Sequence, residues 1–229
     1  MQINGFQKLT LLDFPGKVAC IIFTAGCNFR CPFCHNASLV THIDNTARID
    51  EEEIFAYLKK RQGILEGVCI SGGEPLLQPD IEDFIKKVKE LGYAVKLDTN
   101  GSFPERLISL VEKGLVDYVA MDIKNSKAKY DITAGVRVNI ADIEKSVSFL
   151  LKGTVPYEFR TTVAEGLHNV EDIQDIVPWI KGAPQYFLQN FADSGDILVS
   201  GMAPVVQNDL KMMCETAINL GVSAKIRSE

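Results

Sequence analysis

VACIIFTAGCNFRCPFCHN, residues 18–36, reads as a strand followed by a thiol-rich loop. Val18–Thr24 is an apolar run of the kind that forms a buried strand, and Ala25-Gly26 ends it. Cys27, Cys31 and Cys34 follow at C-x3-C-x2-C spacing. The thiols therefore leave a strand end, where α/β proteins place their chemistry. An iron–sulfur cubane takes four Cys thiolates. This loop offers three and no obvious fourth, so one iron of such a cluster would stay open to a small molecule. A structural zinc loop and three buried free thiols are the competing readings. Zinc sites usually join one C-x2-C pair to a second pair elsewhere, and the sequence has no second pair. Cys20 and Cys69 lie in apolar runs and Cys214 in a helical pattern. These three read as small core residues, and no disulfide framework is expected in a reducing cytosol.

Outward from this stretch the chain alternates strands and helices. β-rich runs fall near Gly67–Ser71, Tyr93–Thr99, Asp117–Ile123, Tyr157–Val163 and Gln185–Gln189, with a short final run at Val222–Ile226. Asp50 reads as the N-cap of a helix over Glu51–Arg61 with three acids in its first turn. Apolar stripes at Ile81–Leu91, Leu107–Val111, Ile143–Leu151 and Val170–Ile180 each stop near a glycine, and a last helix spans about Val205–Leu220. Such alternation implies parallel strands with right-handed crossovers. A full eight-unit barrel takes about 250 residues. The expectation is an α/β fold: a partial (β/α)6 barrel with an N-terminal hairpin turned at Asp13-Phe14-Pro15-Gly16, forming one domain over residues 1–229.

Four strand ends carry polar groups. They are Ser71-Gly72-Gly73-Glu74-Pro75, Asp98-Thr99-Asn100-Gly101, Asp122-Ile123-Lys124, and Arg160 within Glu158-Phe159-Arg160-Thr161-Thr162. The glycine pair permits close backbone approach. Asp and Asn at strand ends also cap the next helix, which is the plainer reading of each residue alone. Arg160 is in phase with Glu158 and Thr162. It faces either an anionic ligand or an internal salt bridge with Glu158 or a nearby Asp. His42 and His168 carry no signal, and Trp179 reads as a packing residue.

The Cys loop, with SGGEP, LDTNG, MDIK and FRTTV in that order, resembles the radical S-adenosylmethionine (SAM) enzymes. Within them the chain is similar to the glycyl-radical-enzyme activases, in particular the activating proteins of anaerobic ribonucleoside-triphosphate reductases. The resemblance implies a 4Fe-4S cluster on Cys27, Cys31 and Cys34, with SAM chelating the open iron. Gly72, Gly73 and Glu74 would hold the amino group of SAM. Glu74, Asp98 and Asp122 would line one rim that receives the sulfonium cation. The resemblance also implies a monovalent cation at Asp98, Thr99 and Asp122, with Asn100, Ile123 and Lys124 near the ligand; if Arg160 faces a ligand and not a salt bridge, the SAM carboxylate is its anion. Phe33 would pack on the adenine, and His35 would shield the cluster or meet the substrate backbone. Phe191 stands where related activases place a His. No catalytic side chain beyond cluster and SAM is implied. The partners implied are a glycyl radical enzyme, namely an anaerobic ribonucleotide reductase, and a flavodoxin- or ferredoxin-type electron donor. Activases of formate-lyase type, small-molecule radical SAM enzymes such as 7-deazapurine synthases, and a non-enzymatic iron–sulfur carrier are the alternatives.

Composition narrows the field. The net charge is -6 and no Lys/Arg run occurs, which disfavours nucleic acid. No apolar run reaches the roughly 20 residues of a membrane span, and the first ten residues do not read as a signal peptide. A cytoplasmic protein with no membrane partner is the expectation.

Overall fold

The computed structural model describes residues 1–41, 43–44 and 47–227; His42 lies outside them. The chain forms two compact units. The first comprises residues 1–28, 38–99 and 105–119, and the second comprises residues 29–37, 100–104 and 120–229.

In the first unit β1 (Ile3–Thr10) runs antiparallel to β2 (Ala19–Thr24), which completes the expected hairpin. β2 pairs in parallel with β3 (Gly67–Gly72), and β3 with β4 (Ala94–Thr99). α1 (Ala37–Val40) is a single turn that the sequence did not signal. α2 (Glu51–Lys60) and α3 (Ile81–Glu90) supply the crossovers, and α4 (Pro104–Glu112) follows β4. Asp50 occupies the N-cap of α2 with extended backbone, but its side chain makes no capping hydrogen bond. The dipole of that helix meets Glu51, Glu52 and Glu53 instead. The stripe Ile81, Phe84, Ile85 and Val88 is fully buried, as its spacing requires.

The two faces of this sheet differ. Ala19, Ile21 and Cys69 share one face with Phe23, Ala94 and Tyr118, and Phe14 from the hairpin turn packs onto them. Gly67 leaves room for that ring, since a Cβ there would lie 2.7 Å from Phe14. On strands, residues two apart share a face. The same face therefore passes from this apolar layer to Ser71, Lys96 and Asp98 at the carboxyl ends of β3 and β4.

The second unit holds most of β5 (Tyr118–Asp122), then β6 (Tyr157–Val163), β7 (Tyr186–Asn190) and β8 (Ala224–Arg227), with β6, β7 and β8 parallel. Its helices are α5 (Tyr130–Ala134), α6 (Ile140–Leu150), α7 (Val170–Ile176) and α8 (Gln207–Asn219). The stripe from Val170 to Ile180 is not one helix. It breaks at Ile176 into a 3-10 turn, Val177–Trp179, because Pro178 has no N–H and its ring clashes with the preceding turn. Ile173, Ile176, Val177 and Ile180 remain buried across the break. Asn169 and Asp172 form a reciprocal capping box at the start of α7. Cys20, Cys69 and Cys214 are buried core residues, and Trp179 packs edge-on against Tyr130.

Strand order follows the chain from β1 to β8, so the sheet does not close on itself. It is a parallel sheet of the partial-barrel type with an antiparallel first strand, as expected. Among the described residues no helix is long and apolar enough to cross a membrane.

Candidate functional site

The carboxyl ends of β2, β3 and β4 supply the first unit's share of the predicted residues. Gly26 donates its N–H to the Leu39 carbonyl, and Glu74 donates its own to the Gly26 carbonyl at 2.8 Å. The contact is tight: a Cβ on Gly73 would stand 2.0 Å from the Gly26 oxygen. The second glycine of SGGEP is therefore required by the approach of the segment carrying Cys27. Gly72 adopts φ +112°, a region that favours glycine. Glu74 is not a carboxylate at an open rim. It is fully buried, and its Oε1 accepts from the Leu76 N–H at 3.0 Å and the Thr99 hydroxyl at 2.8 Å. Glu74 caps the turn Pro75–Leu77, with Pro75 at the first turn position. Asp98 accepts from the Ser71 hydroxyl at 3.2 Å and from the Lys96 ammonium.

The second unit supplies the rest of the loop. Phe29 and Phe33 are each 3% exposed, and Cys31 is buried. The Arg30 N–H reaches the Ala134 carbonyl at 2.8 Å, beside Gly135 at φ +68°. The Val199 N–H reaches the Pro32 carbonyl, and the Ala37 N–H the Asp196 carbonyl. Cys34 donates its N–H to the Cys31 carbonyl, so these two thiols flank one tight turn. Phe33 packs edge-on against His168, inside the loop's own packing and not on an open surface. His35 lies 5.5 Å from the buried Phe191 ring, centroid to centroid. Burial pushes the Cys31 and Cys34 thiols up, and the Lys124 charge pulls both back.

Asp122 ends β5 between two cations. Arg160 Nε donates to Oδ1 at 2.9 Å and Lys124 Nζ to Oδ2 at 2.9 Å. Burial opposes ionisation of this carboxyl, but Arg160 and Lys124 hold it well below the usual carboxylate range. Burial likewise opposes the Lys124 charge, and Asp122 more than offsets it, leaving the ammonium above its ordinary range. Arg160 thus makes the internal salt bridge, with Asp122, while Glu158 accepts from the two terminal guanidinium nitrogens of Arg227. Ile123 is backbone scaffolding: its N–H donates to the Arg160 carbonyl and its carbonyl accepts from Thr161. Asn100 closes a local turn after β4, accepting from the Ser102 N–H and hydroxyl, four residues before α4 begins.

The sequence profile of the radical SAM superfamily matches residues 21–180. The chain belongs to the radical SAM superfamily. It is 34% identical over 194 residues to a "putative glycyl-radical enzyme activating enzyme" of Methanocaldococcus jannaschii, an alignment covering 82% of this chain and 79% of that protein. It is 26% identical to the pyruvate formate-lyase-activating enzyme of Clostridium pasteurianum, over 79% of this chain and 77% of the other. Among solved structures, a radical SAM methyltransferase from Sphaerobacter thermophilus superposes with a TM-score of 0.75 at 12% identity, covering 96% of this chain and 68% of that one. That likeness concerns the fold.

Radical SAM enzymes use a 4Fe-4S cluster and SAM, and the donor set here fits the cluster. Cys27, Cys31 and Cys34 take part in no disulfide among the described residues. Among the described residues no three His, Cys, Asp or Glu side chains converge closely enough to hold one metal ion. A cubane does not ask for such convergence, because each thiolate binds a different iron. Tyr130 adds a second sign. It is fully buried, and among the described residues its hydroxyl finds no acceptor. Burial pushes the Tyr130 hydroxyl well up, and Lys124 and Cys31 lie within its electrostatic reach. A sulfur-rich group held by Cys31 would offer this donor an acceptor.

Three residues of these units were not singled out by the sequence reading. Lys96 is 2% exposed and ion-paired to Asp98. His168 accepts the Ala164 N–H at Nδ1 and donates from Nε2 to the Lys124 carbonyl at 2.8 Å, which fixes the segment after Asp122. Tyr130 is the third. Only Lys96 left a readable trace, a lysine two residues before a strand-end aspartate.

Proposed function

We propose that this protein is a glycyl-radical-enzyme activase whose partner is an anaerobic ribonucleoside-triphosphate reductase. The observation that carries the activase reading is the 34% identity spread over most of both chains with the activating enzyme of M. jannaschii. The reductase as target is supported by the order and wording of the motifs from the Cys loop to FRTTV.

Residues 1–229 act as a single radical SAM core in a cytoplasmic protein. Cys27, Cys31 and Cys34 hold the cluster, and their thiols give up protons on binding iron. Raised by burial, Cys31 and Cys34 do so with help from the Lys124 charge. When bound, cluster and SAM supply one-electron cleavage of a C–S bond and a primary carbon radical that takes a hydrogen atom from a glycine. The protein binds, orients and excludes water. Gly72 and Gly73 let the end of β3 close on the Thr24–Gly26 backbone that leads into the Cys loop, beside which the SAM amino group would sit. Lys124, Arg160 and Asp122 form a fixed charged cluster for its carboxylate. A flavodoxin- or ferredoxin-type protein delivers the electron.

The test is electron paramagnetic resonance of the reduced, reconstituted protein with SAM and an anaerobic ribonucleotide reductase. A glycyl doublet on the partner that collapses on Cα deuteration is expected. A doublet formed only with a formate-lyase-type enzyme would favour the second reading, to which the C. pasteurianum relative lends weight. Turnover of a small metabolite in step with SAM, with no glycyl signal, would overturn the activase reading.

A further inference from the structure

Among the described residues, no other lysine or arginine is buried as deeply as Lys96, at 2% exposure. Its place is deliberate in register. On β4 it pairs with Cys69 of β3, above the apolar layer of Cys69 and Ala94. Two residues on, its ammonium meets the Asp98 Oδ1. The other oxygen, Oδ2, takes the Ser71 hydroxyl. Burying an ammonium is costly unless a carboxylate answers it. A strand-end aspartate answers it here, and the pair stands where this strand meets its predicted ligand.

The resemblance implies a monovalent metal cation held by Asp98, Thr99 and Asp122. The residues present do not fit one. Asp98 already meets an ammonium, the Thr99 hydroxyl donates to Glu74, and both Asp122 oxygens are taken by Arg160 and Lys124. A Na⁺ or K⁺ ion brought to Asp98 would sit beside a fixed like charge and be repelled.

We propose that the Lys96 ammonium takes the place of a bound monovalent cation, so that this protein binds SAM without Na⁺ or K⁺. Lys96 is a positioning residue that acts through Asp98. An uncompensated Asp98 would repel the carboxylate of an incoming SAM, and a tethered ammonium removes that repulsion at any salt composition. The inference rests on the SAM reading of the site.

The experiment is calorimetric titration of SAM into the cluster-loaded protein. Chloride salts of potassium, sodium and tetramethylammonium are compared at equal ionic strength, the last being too bulky for a two-oxygen site. For the parent protein the affinity should stay within about twofold across the three salts. Lys96→Met should bind SAM about tenfold or more weakly in tetramethylammonium and regain affinity as potassium is added. Lys96→Arg should keep the parent's indifference to salt. A parent protein that loses SAM affinity when potassium and sodium are withdrawn overturns the proposal, and this holds even if Lys96→Met fails to fold. A folded Lys96→Met variant that matches the parent in every salt also overturns it. A loaded protein that binds no SAM in any salt overturns the functional reading, and the inference with it.

Discussion

Asp122→Asn removes the carboxylate that holds two cations and leaves its shape in place. Both contacts are charge-assisted, at 2.9 Å from Arg160 and 2.9 Å from Lys124. A hydrogen bond to a charged group contributes about 1.5–3 kcal/mol. Breaking a fully buried pair costs about 3–5 kcal/mol, while surface pairs contribute about 0–1. The side chain of Asp122 is 30% exposed, with Lys124 at 15% and Arg160 at 14%. Water therefore repays part of the loss, and the expected cost is about 2–3 kcal/mol. With a urea slope of about 2–3 kcal/mol per molar, the midpoint should fall by about 1 M. Urea unfolding of the reduced apo-protein near neutral pH measures it, for the parent, Asp122→Asn, Lys124→Met and the double variant. Lys124→Met should be less harmful in the Asp122→Asn background than in the parent, because it then removes a stranded cation. The pH dependence has a fixed sign. A carboxyl whose folded pKa is depressed contributes fully above its unfolded value of about 3.9. Its contribution is lost progressively as pH falls from that value through the lower folded one. An Asp122→Asn midpoint equal to the parent's, or a double variant less stable than the two single losses predict, would refute the argument that Asp122 is the shared counterion.

Cys27→Ala, Cys31→Ala and Cys34→Ala should each abolish the cluster on anaerobic reconstitution, while Cys69→Ala keeps it. Iron content and visible absorption decide, and equal loss on changing Cys69 would sink the assignment. His168 is buried and neutral, and burial lowers its pKa. Above the unfolded value of about 6.5 neither state is charged. Below it the unfolded chain takes the proton first, so stability should fall as pH drops from that value towards the lower folded one. His168→Gln should remove this slope. A difference between parent and variant that stays flat from about pH 7.5 to about pH 5 would contradict it.

Much of the fold was legible because its signals are local. β2, β3, β4 and β6 lie within a residue or so of their apolar runs, and glycines at φ +88°, +68° and +71° follow α3, α4 and α6. Pro178 was also readable as a break, but the buried stripe running past it hid the signal. The site was less legible, because burial is tertiary. SGGEP suggested an exposed carboxylate, yet the proline after Glu74 is the mark of a turn whose cap is that glutamate. His168 owes its role to the carbonyl of Lys124, 44 residues away, and no sequence pattern announces that. Arg160 was open between ligand and salt bridge, since strand phase gives a face and not a partner.

One device recurs at the strand ends. Asp98 takes its ammonium from Lys96, two residues before it, and Asp122 takes one from Lys124, two residues after it. A spacing of two places both side chains on one face of an extended chain. Each counterion thus arrives two residues from its carboxylate, Lys96 on β4 and Lys124 just past β5, within one unit, and needs no long loop to close. The Glu158–Arg227 pair differs, since it spans two strands on either side of β7. A carboxylate so compensated is a poor receptor for a sulfonium by charge alone, so replacing the aspartate confounds two effects. It deletes a ligand contact and it strands an ammonium. Replacing the lysine leaves the aspartate in place and uncompensated, and a small cation in the buffer can then restore the balance. The lysine variants therefore separate charge compensation from ligand contact, which the aspartate variants cannot do.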